Sequence, residues 1–366
     1  GSSFSAFAGA QLTGGLWWVY QNGEGDGIGS FADPALIIYA DDDGSYGSWG
    51  FSGEARFGRG AFTNAASNSS GDNYTIHKAW VSYDFSDNNK IVIGKSQVPF
   101  GWKTANFWPG DMLQGGYGDQ MDVGLKLTGK RGVIDYDVAV YLQDDWGNTS
   151  TDTSDDNGHW GSAVINEETY RKGLTTVLNI DWAATQHHTL GASFQVGDLR
   201  DLAAFRQAGE INDKGEHNAL DLHYIYARDA LTVKYRYIDV TRDFTKLTTC
   251  VGSGRCPDSK ISNQRNALYL GYSQNKWNYY LEATTASTNG QANTANQSNN
   301  GKSVKALAPG VTYNYGPGWF YFEYLWQDGF IDQFGDKTTF PRVLHQGEII
   351  GGMTETVKYL KENNYV

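Results

Sequence analysis

Lys90 to Gly132 reads "KIVIGKSQVPFGWKTANFWPGDMLQGGYGDQMDVGLKLTGKRG". Two strand-like runs flank about eighteen residues, Gly101 to Gly118, that are rich in Trp, Gly and Pro and carry little charge. A surface loop on a soluble protein is commonly short and polar. Leaving Trp102, Phe107, Trp108, Met112 and Leu113 in water would be costly. The stretch therefore asks for an enclosing wall, and the rest of the sequence supplies one.

Period-two patterning recurs along the chain. In "MDVGLKLTG", Met121, Val123, Leu125 and Leu127 share one face while Asp122, Lys126 and Thr128 share the other. "IDYDVAVYLQ" sets Ile134, Tyr136, Val138, Val140 and Leu142 against Asp135, Asp137, Tyr141 and Gln143. "NALDLHYIY" and "LTVKYRY" repeat the pattern, with Asp221 and His223, then Lys234 and Arg236, on the polar face. These are half-apolar strands. Their polar faces are charged throughout, which suits a wet interior better than a dry core.

The connections alternate in length. Long ones at Asn22 to Ala32, Ala61 to Asn73, Gly101 to Gly118, about Asp144 to Glu168, Asp201 to Gly215, Phe244 to Ile261, Gly290 to Lys302 and Gln333 to Thr339 are separated by short turns. The turns are "DDDGS", "SDNN", "GKRG", "ATQHH", "ARDA", "QNK" and "GPG". Eight long loops and seven short turns imply sixteen strands. Such alternation is the signature of a single all-β, up-and-down transmembrane barrel over residues 1 to 366, with an inward-folded third loop. Trp17, Trp18, Trp146, Trp182, Trp277, Trp319 and Trp326 fall at strand ends, where interfacial girdles would lie.

Composition agrees. Aromatic residues make up 14% and Gly numbers 45, an enrichment that suits strands and turns. No apolar run approaches the eighteen or so residues of a membrane helix, which excludes a helical membrane protein but not a barrel. A net charge of −12 without a basic stripe argues against a nucleic-acid partner. No leader is read at the start, so the chain is expected to be a mature form.

"IGKSQVPFGW", then a loop, then "MDVGLKLTG" resembles the strand end, constriction loop and following strand of the phosphate-selective porin O/P family and its dicarboxylate-passing relatives. The resemblance is sharp over Lys90 to Gly129 and architectural elsewhere. It implies a homotrimer of sixteen-stranded barrels in the outer membrane of a Gram-negative bacterium, in contact with lipid and lipopolysaccharide. It makes Gly94, Pro99, Phe100 and Gly101 the lead-in to the constriction. Lys103, Asn106, Trp108, Asp111, Gln114 and Asp119 become its loop positions. Two departures stand out: Lys103 is the lone basic residue beside Asp111 and Asp119, and the chain ends "KENNYV" rather than on an aromatic residue.

Alternation nominates Arg56, Lys78, Lys126, Lys234, Arg236, Arg242 and Arg265 as pore-lining cations, with Lys234, Arg236 and Arg242 as an anion ladder on one strand. Their acidic counterparts include Glu54, Asp84, Asp135, Asp137, Asp181, Asp221, Glu282 and Glu323. The expected function is passive diffusion of small hydrophilic solutes with weak anion preference, without cofactor or covalent chemistry. A general or cation-preferring porin is the alternative, and a surface adhesin or sugar-binding β-protein the alternative of another class. The acidic stretch Asp144 to Gly158 lacks the spacing of a defined calcium loop and reads as a solvated loop. His187 and His188 read as turn residues, and no His pairs with a Ser nucleophile.

Cys250 and Cys256 lie six residues apart in a Gly/Ser-rich loop with no further metal ligands, which points to a disulfide and an oxidising compartment. Non-reducing peptide mapping is expected to find the two joined. Reduction should leave the barrel folded, because closing so small a loop constrains little of the unfolded chain; two free thiols in protein from its native membrane would contradict this.

Overall fold

The computed structural model describes residues 11–21, 30–58, 74–105, 117–144, 170–201, 215–243, 260–290, 303–314, 319–324, 326–327, 343–345 and 348–351. One antiparallel sheet dominates. Its strands are β1 (Gln11–Gln21), β2 (Ser30–Tyr46), β3 (Trp49–Phe57), β4 (Tyr74–Ser86), β5 (Asn89–Gln97), β6 (Met121–Arg131), β7 (Ile134–Gln143) and β8 (Tyr170–Ala183). It continues through β9 (His188–Asp201), β10 (Gly215–Arg228), β11 (Leu231–Asp243), β12 (Lys260–Gln274), β13 (Trp277–Gly290), β14 (Ser303–Asn314) and β15 (Trp319–Glu323). Every strand pairs with its sequence neighbours in strict order, the topology that alternating connections require.

The short turns all lie at one end of the sheet, and their backbone explains why these residues occupy them. Asp229 and Asn275 adopt φ of 52° and 55°, and Gly132 of 63°, as two-residue hairpins matched to right-handed strand twist demand. The first turn differs from expectation. It is Gly47–Ser48, and Asp41 to Ser45 belong to β2, where Gly44 at φ 84° sits in a bulge between Asp43 and Tyr46. With an αL glycine there the strand absorbs two extra residues, Gly44 and Ser45, without ending the pairing.

The far edge also differs. β15 and the two residues of β16 (Trp326–Gln327) both pair with β14, on either side of a break at Tyr324, so they form one interrupted strand. The described residues thus run through fifteen neighbouring positions, in keeping with the about sixteen strands expected. β17 (Val343–His345) and β18 (Glu348–Gly351) pair with each other in a separate two-stranded sheet.

Outward positions carry the apolar residues of each alternating strand. On β8 these are Leu174, Leu178, Ile180 and Trp182, all exposed, while Thr175, Val177 and Asn179 between them are buried on the opposite face. β9 repeats this with Leu190, Phe194 and Val196 outside and Ser193 and Gln195 inside. Rings gather next to the short turns: Trp49 lies 4.8 Å from Tyr83, and Trp277 4.6 Å from Tyr313. His188 joins this rim, its Nδ1 2.7 Å from the Tyr224 hydroxyl. A belt of exposed aliphatic side chains bordered by aromatic residues is the face a bilayer accepts. No helix among the described residues is long and apolar enough to cross a membrane.

Curvature follows from one contact. Thr104, seven residues beyond the end of β5, hydrogen-bonds Glu282 on β13. In a flat sheet eight strand intervals would separate these elements by about 38 Å, whereas seven extended residues reach about 24 Å. The sheet therefore curls around the segment that follows β5.

Because Leu178 faces outward in the middle of β8, Leu178→Arg is expected to destabilise the folded protein in lipid vesicles by about 2–4 kcal/mol. Urea titration of refolding would measure it.

Candidate functional site

The chain leaves β5 and returns to β6 along the inner face of the curled sheet. Its outgoing limb, Val98 to Ala105, and its returning limb, Tyr117 to Gln120, are zipped by Val98 N–H to Gln120 O (2.9 Å) and Thr104 N–H to Gly118 O (3.0 Å). Lys103 Nζ and Asp119 Oδ1 add an ion pair at 2.9 Å between the limbs. Pro99 cannot continue a strand ladder, and Gly101 takes φ 63°, so the lead-in turns off the sheet where the sequence allows it.

Beneath the limbs the inner wall is apolar. Val98, Phe100 and Tyr117 pack with Ala139, Tyr141, Val177, Ala219, Ile238 and Val240, all buried. Phe100 and Tyr117 meet at 5.3 Å between ring centroids. Trp102 packs in a second cluster with Ala267, Tyr269 and Tyr280. The described aromatic residues of the third connection, Trp102 and Tyr117, thus have a bed on the wall.

Arg236, fully buried on β11, joins the limbs to that wall. Its Nη1 donates to Trp102 O and Tyr117 O, both at 3.0 Å, its Nη2 to Phe100 O at 2.9 Å, and its Nε to Asp221 Oδ2 at 2.6 Å. A second clasp lies on β13, where Glu282 accepts from the Thr104 hydroxyl (2.6 Å) and the Ala105 N–H (2.8 Å). A side chain at Gly101 would strike the first clasp: a Cβ there would lie 2.7 Å from Arg236 Nη2 and from an Asp221 oxygen.

The nominated cations separate into two groups. Lys126 donates to Gln97 O (2.8 Å) at the root of the loop. Arg265 lies over the Tyr117 ring (5.8 Å), and Lys234 over the rings of Trp102 and Tyr269 (5.6 and 5.0 Å). With Arg236 these side chains brace the loop. Arg242 shares the inward face of β11 but is buried, so Lys234, Arg236 and Arg242 do not form an open ladder. Arg56, Lys78 and Lys103 make the other group, on the adjoining strands β3 and β4 and on the outgoing limb after β5; Lys78 is the cross-strand partner of Glu54, two residues from Arg56. Arg56 is tied to Glu54 at 2.7 Å, and Lys78 lies 3.8 Å from Asp41. Lys103 is the most open, with 52% of its side chain exposed. Asn106, Trp108, Asp111, Gln114, Cys250 and Cys256 lie outside the described residues.

Sequence reasoning missed His223, Asn179, Ser193 and Thr104 as parts of this site. A signal for the bed was present. Ile238 and Val240 share the parity of Lys234 and Arg236 on β11, so the polar face of that strand turns apolar where the loop lies.

Among solved structures, the chain resembles the outer membrane protein OmpT of Vibrio cholerae. In a loop L8 deletion mutant the TM-score is 0.52 at 11% identity, covering 87% of this chain and 92% of that one. In a trimer form of OmpT folded in vitro it is 0.51 at 11% identity, covering 94% and 96%. No family model and no curated protein matches the sequence. At this identity the likeness establishes the fold, that of an outer-membrane β-barrel.

Arg236→Met would leave Asp221 and three carbonyls without their cation inside the wall, and is expected to cost about 3–5 kcal/mol in a urea refolding titration. Adding Asp221→Leu should recover only the share due to the stranded carboxylate, because His223 Nδ1 then loses its partner and the three carbonyls still lack theirs.

Proposed function

We propose that the protein is an outer-membrane porin through which small hydrophilic solutes diffuse passively, with a weak preference for anions of phosphate or dicarboxylate type. The observation that carries this reading is the connection between β5 and β6, held by both limbs against the inner face of the barrel. A loop placed there narrows the lumen, and the charges around it meet every solute that passes. Asn106, Trp108, Asp111 and Gln114 complete that constriction in this reading. No reaction centre is part of it, and selectivity comes from width and charge. The aliphatic belt is the surface offered to outer-membrane lipid and lipopolysaccharide. A homotrimer is proposed by analogy with the trimer form of OmpT.

Anion preference rests on Arg56, Lys78 and Lys103. Lys103 and Lys78 keep part of their side chains open, and partial desolvation in a narrow passage strengthens their field. The net charge of −12 weighs less in this reading, because exposed charges more than about one Debye length from a constriction are largely screened. One observation favours the cation-preferring alternative. Asp84, Asp135, Asp137 and Asp181 all stand close to the short turns, against Lys90 and Lys130 as paired cations there.

Planar-bilayer recording under a salt gradient decides between them. The unaltered channel is expected to favour Cl⁻ over K⁺, and Lys78→Gln with Lys103→Gln to move the reversal potential toward cations while the channel stays open. A channel that already favours K⁺, or one whose reversal potential ignores the substitutions, would overturn the anion reading.

A further inference from the structure

The bonds that hold the loop close into a ring. The Gly101 N–H donates to Ser193 Oγ on β9 (2.8 Å), which donates to Asn179 Oδ1 on β8 (2.7 Å). Asn179 Nδ2 donates to Asp181 Oδ2 (2.8 Å), and Asp181 Oδ1 faces His223 Nε2 on β10 (2.7 Å). His223 Nδ1 faces Asp221 Oδ1 (2.6 Å), Asp221 Oδ2 accepts from Arg236 Nε (2.6 Å), and Arg236 Nη2 returns to the loop at Phe100 O (2.9 Å). Phe100 and Gly101 are adjacent, so six side chains on four consecutive strands begin and end on the same peptide.

The members bond chiefly to one another, and Asn179 Nδ2 also reaches Asp137 Oδ2 outside the ring (3.2 Å). Both oxygens of Asp221 are engaged, both nitrogens of His223 face carboxylate oxygens, and Ser193 both accepts and donates. None can turn toward a new partner without breaking an existing bond. Five of the six side chains are buried, and Asp181, 26% exposed, is the one that opens to the lumen. Buried networks of this kind are cooperative, since a lost bond strands a polar group where water does not reach it. The fit also depends on an absent side chain: a Cβ at Gly191 would collide with His223 and Asp181.

We propose that this ring acts as one element that sets the position of the loop, so that His223 and Asn179, neither of which hydrogen-bonds to the loop, are positioning residues for the constriction. The inference rests on the reading of that loop as the constriction, and it predicts action at a distance. Breaking the ring on β8 or β10 frees the loop much as breaking it at Arg236 does.

The test uses the full chain in detergent micelles, with Cys250→Ser and Cys256→Ser as background. Spin labels are placed at Ala105→Cys on the loop and at Asp229→Cys, exposed in a short turn. With labelled chain diluted into an excess of unlabelled chain, so that distances between protomers do not contribute, pulsed dipolar spectroscopy should give one narrow distance distribution for the parent. His223→Phe and Asn179→Ala should each at least double its width, as Arg236→Gln does. Gln195→Ala, on the same wall but outside the ring, should leave it unchanged. If His223→Phe and Asn179→Ala keep the parent distribution while Arg236→Gln broadens it, Arg236 alone holds the loop and the proposal fails. It fails equally if Gln195→Ala broadens the distribution as much as they do. Should His223→Phe not fold, judged by heat-modifiable gel mobility, Asn179→Ala carries the test. Because the distances are read in micelles, a ring that responds as expected in a protein that passes no current would refute the porin reading and leave the ring standing.

Discussion

A guanidinium buried in the barrel wall governs the interior. Burying a cation is expensive, and Arg236 meets the expense with one carboxylate and three backbone carbonyls. Those carbonyls belong to both limbs of the third connection, so the side chain cannot be satisfied unless the loop lies against β11. The dependence is mutual. Carbonyls in a connecting segment have no ladder partner, and a fixed fork of donors satisfies them without water.

The wall has two incompatible tasks, and the strands divide them by position rather than by face alone. In the proposed porin the lumen needs a polar lining for the solutes it would pass, whereas a loop carrying Phe100, Trp102 and Tyr117 needs an apolar bed. β11 holds both, with Lys234 and Arg236 followed on the same face by Ile238 and Val240. The polar clasps stand beside the apolar bed, so packing sets the depth of the loop and hydrogen bonds set its register. Removing an apolar member would loosen the fit; removing a clasp would strand a buried charge.

Legibility followed the range of the interactions involved. Strand identity, the order of pairing and the outward belt depend on neighbours two residues apart, and the alternation in "IDYDVAVYLQ" or "LTVKYRYIDVTRD" records them directly. Turn position was less secure. "DDDGS" has turn composition, yet Gly44 in the αL region lets β2 run on to Tyr46. Parity identified Arg236, Asp221 and Glu282 as inward. Only the curled sheet shows that Arg236 and Glu282 meet residues more than a hundred positions away, and no local pattern pairs Gly101 with Ser193 or Thr104 with Glu282. The same limit explains the ladder inferred on β11: parity gives the face of a side chain, and burial on that face is decided by what the loop covers.

Charge counting along the wall therefore overstates what a solute would meet. Of the seven inferred lining cations, Lys126, Lys234, Arg236 and Arg265 contact the loop or its root, and Arg242 is buried. Arg56 and Lys78 remain, joined by Lys103, and each has an acidic residue within 4 Å. Paired charges in a partly hydrated site project a field weaker than their number suggests, and a dipolar one. A lining built this way discriminates gently, because the carboxylate beside each ammonium offsets part of the attraction it exerts on an anion. Strong selectivity would require cations freed from structural duty, and in this wall the fully buried guanidinium of Arg236 is committed to holding the loop in place.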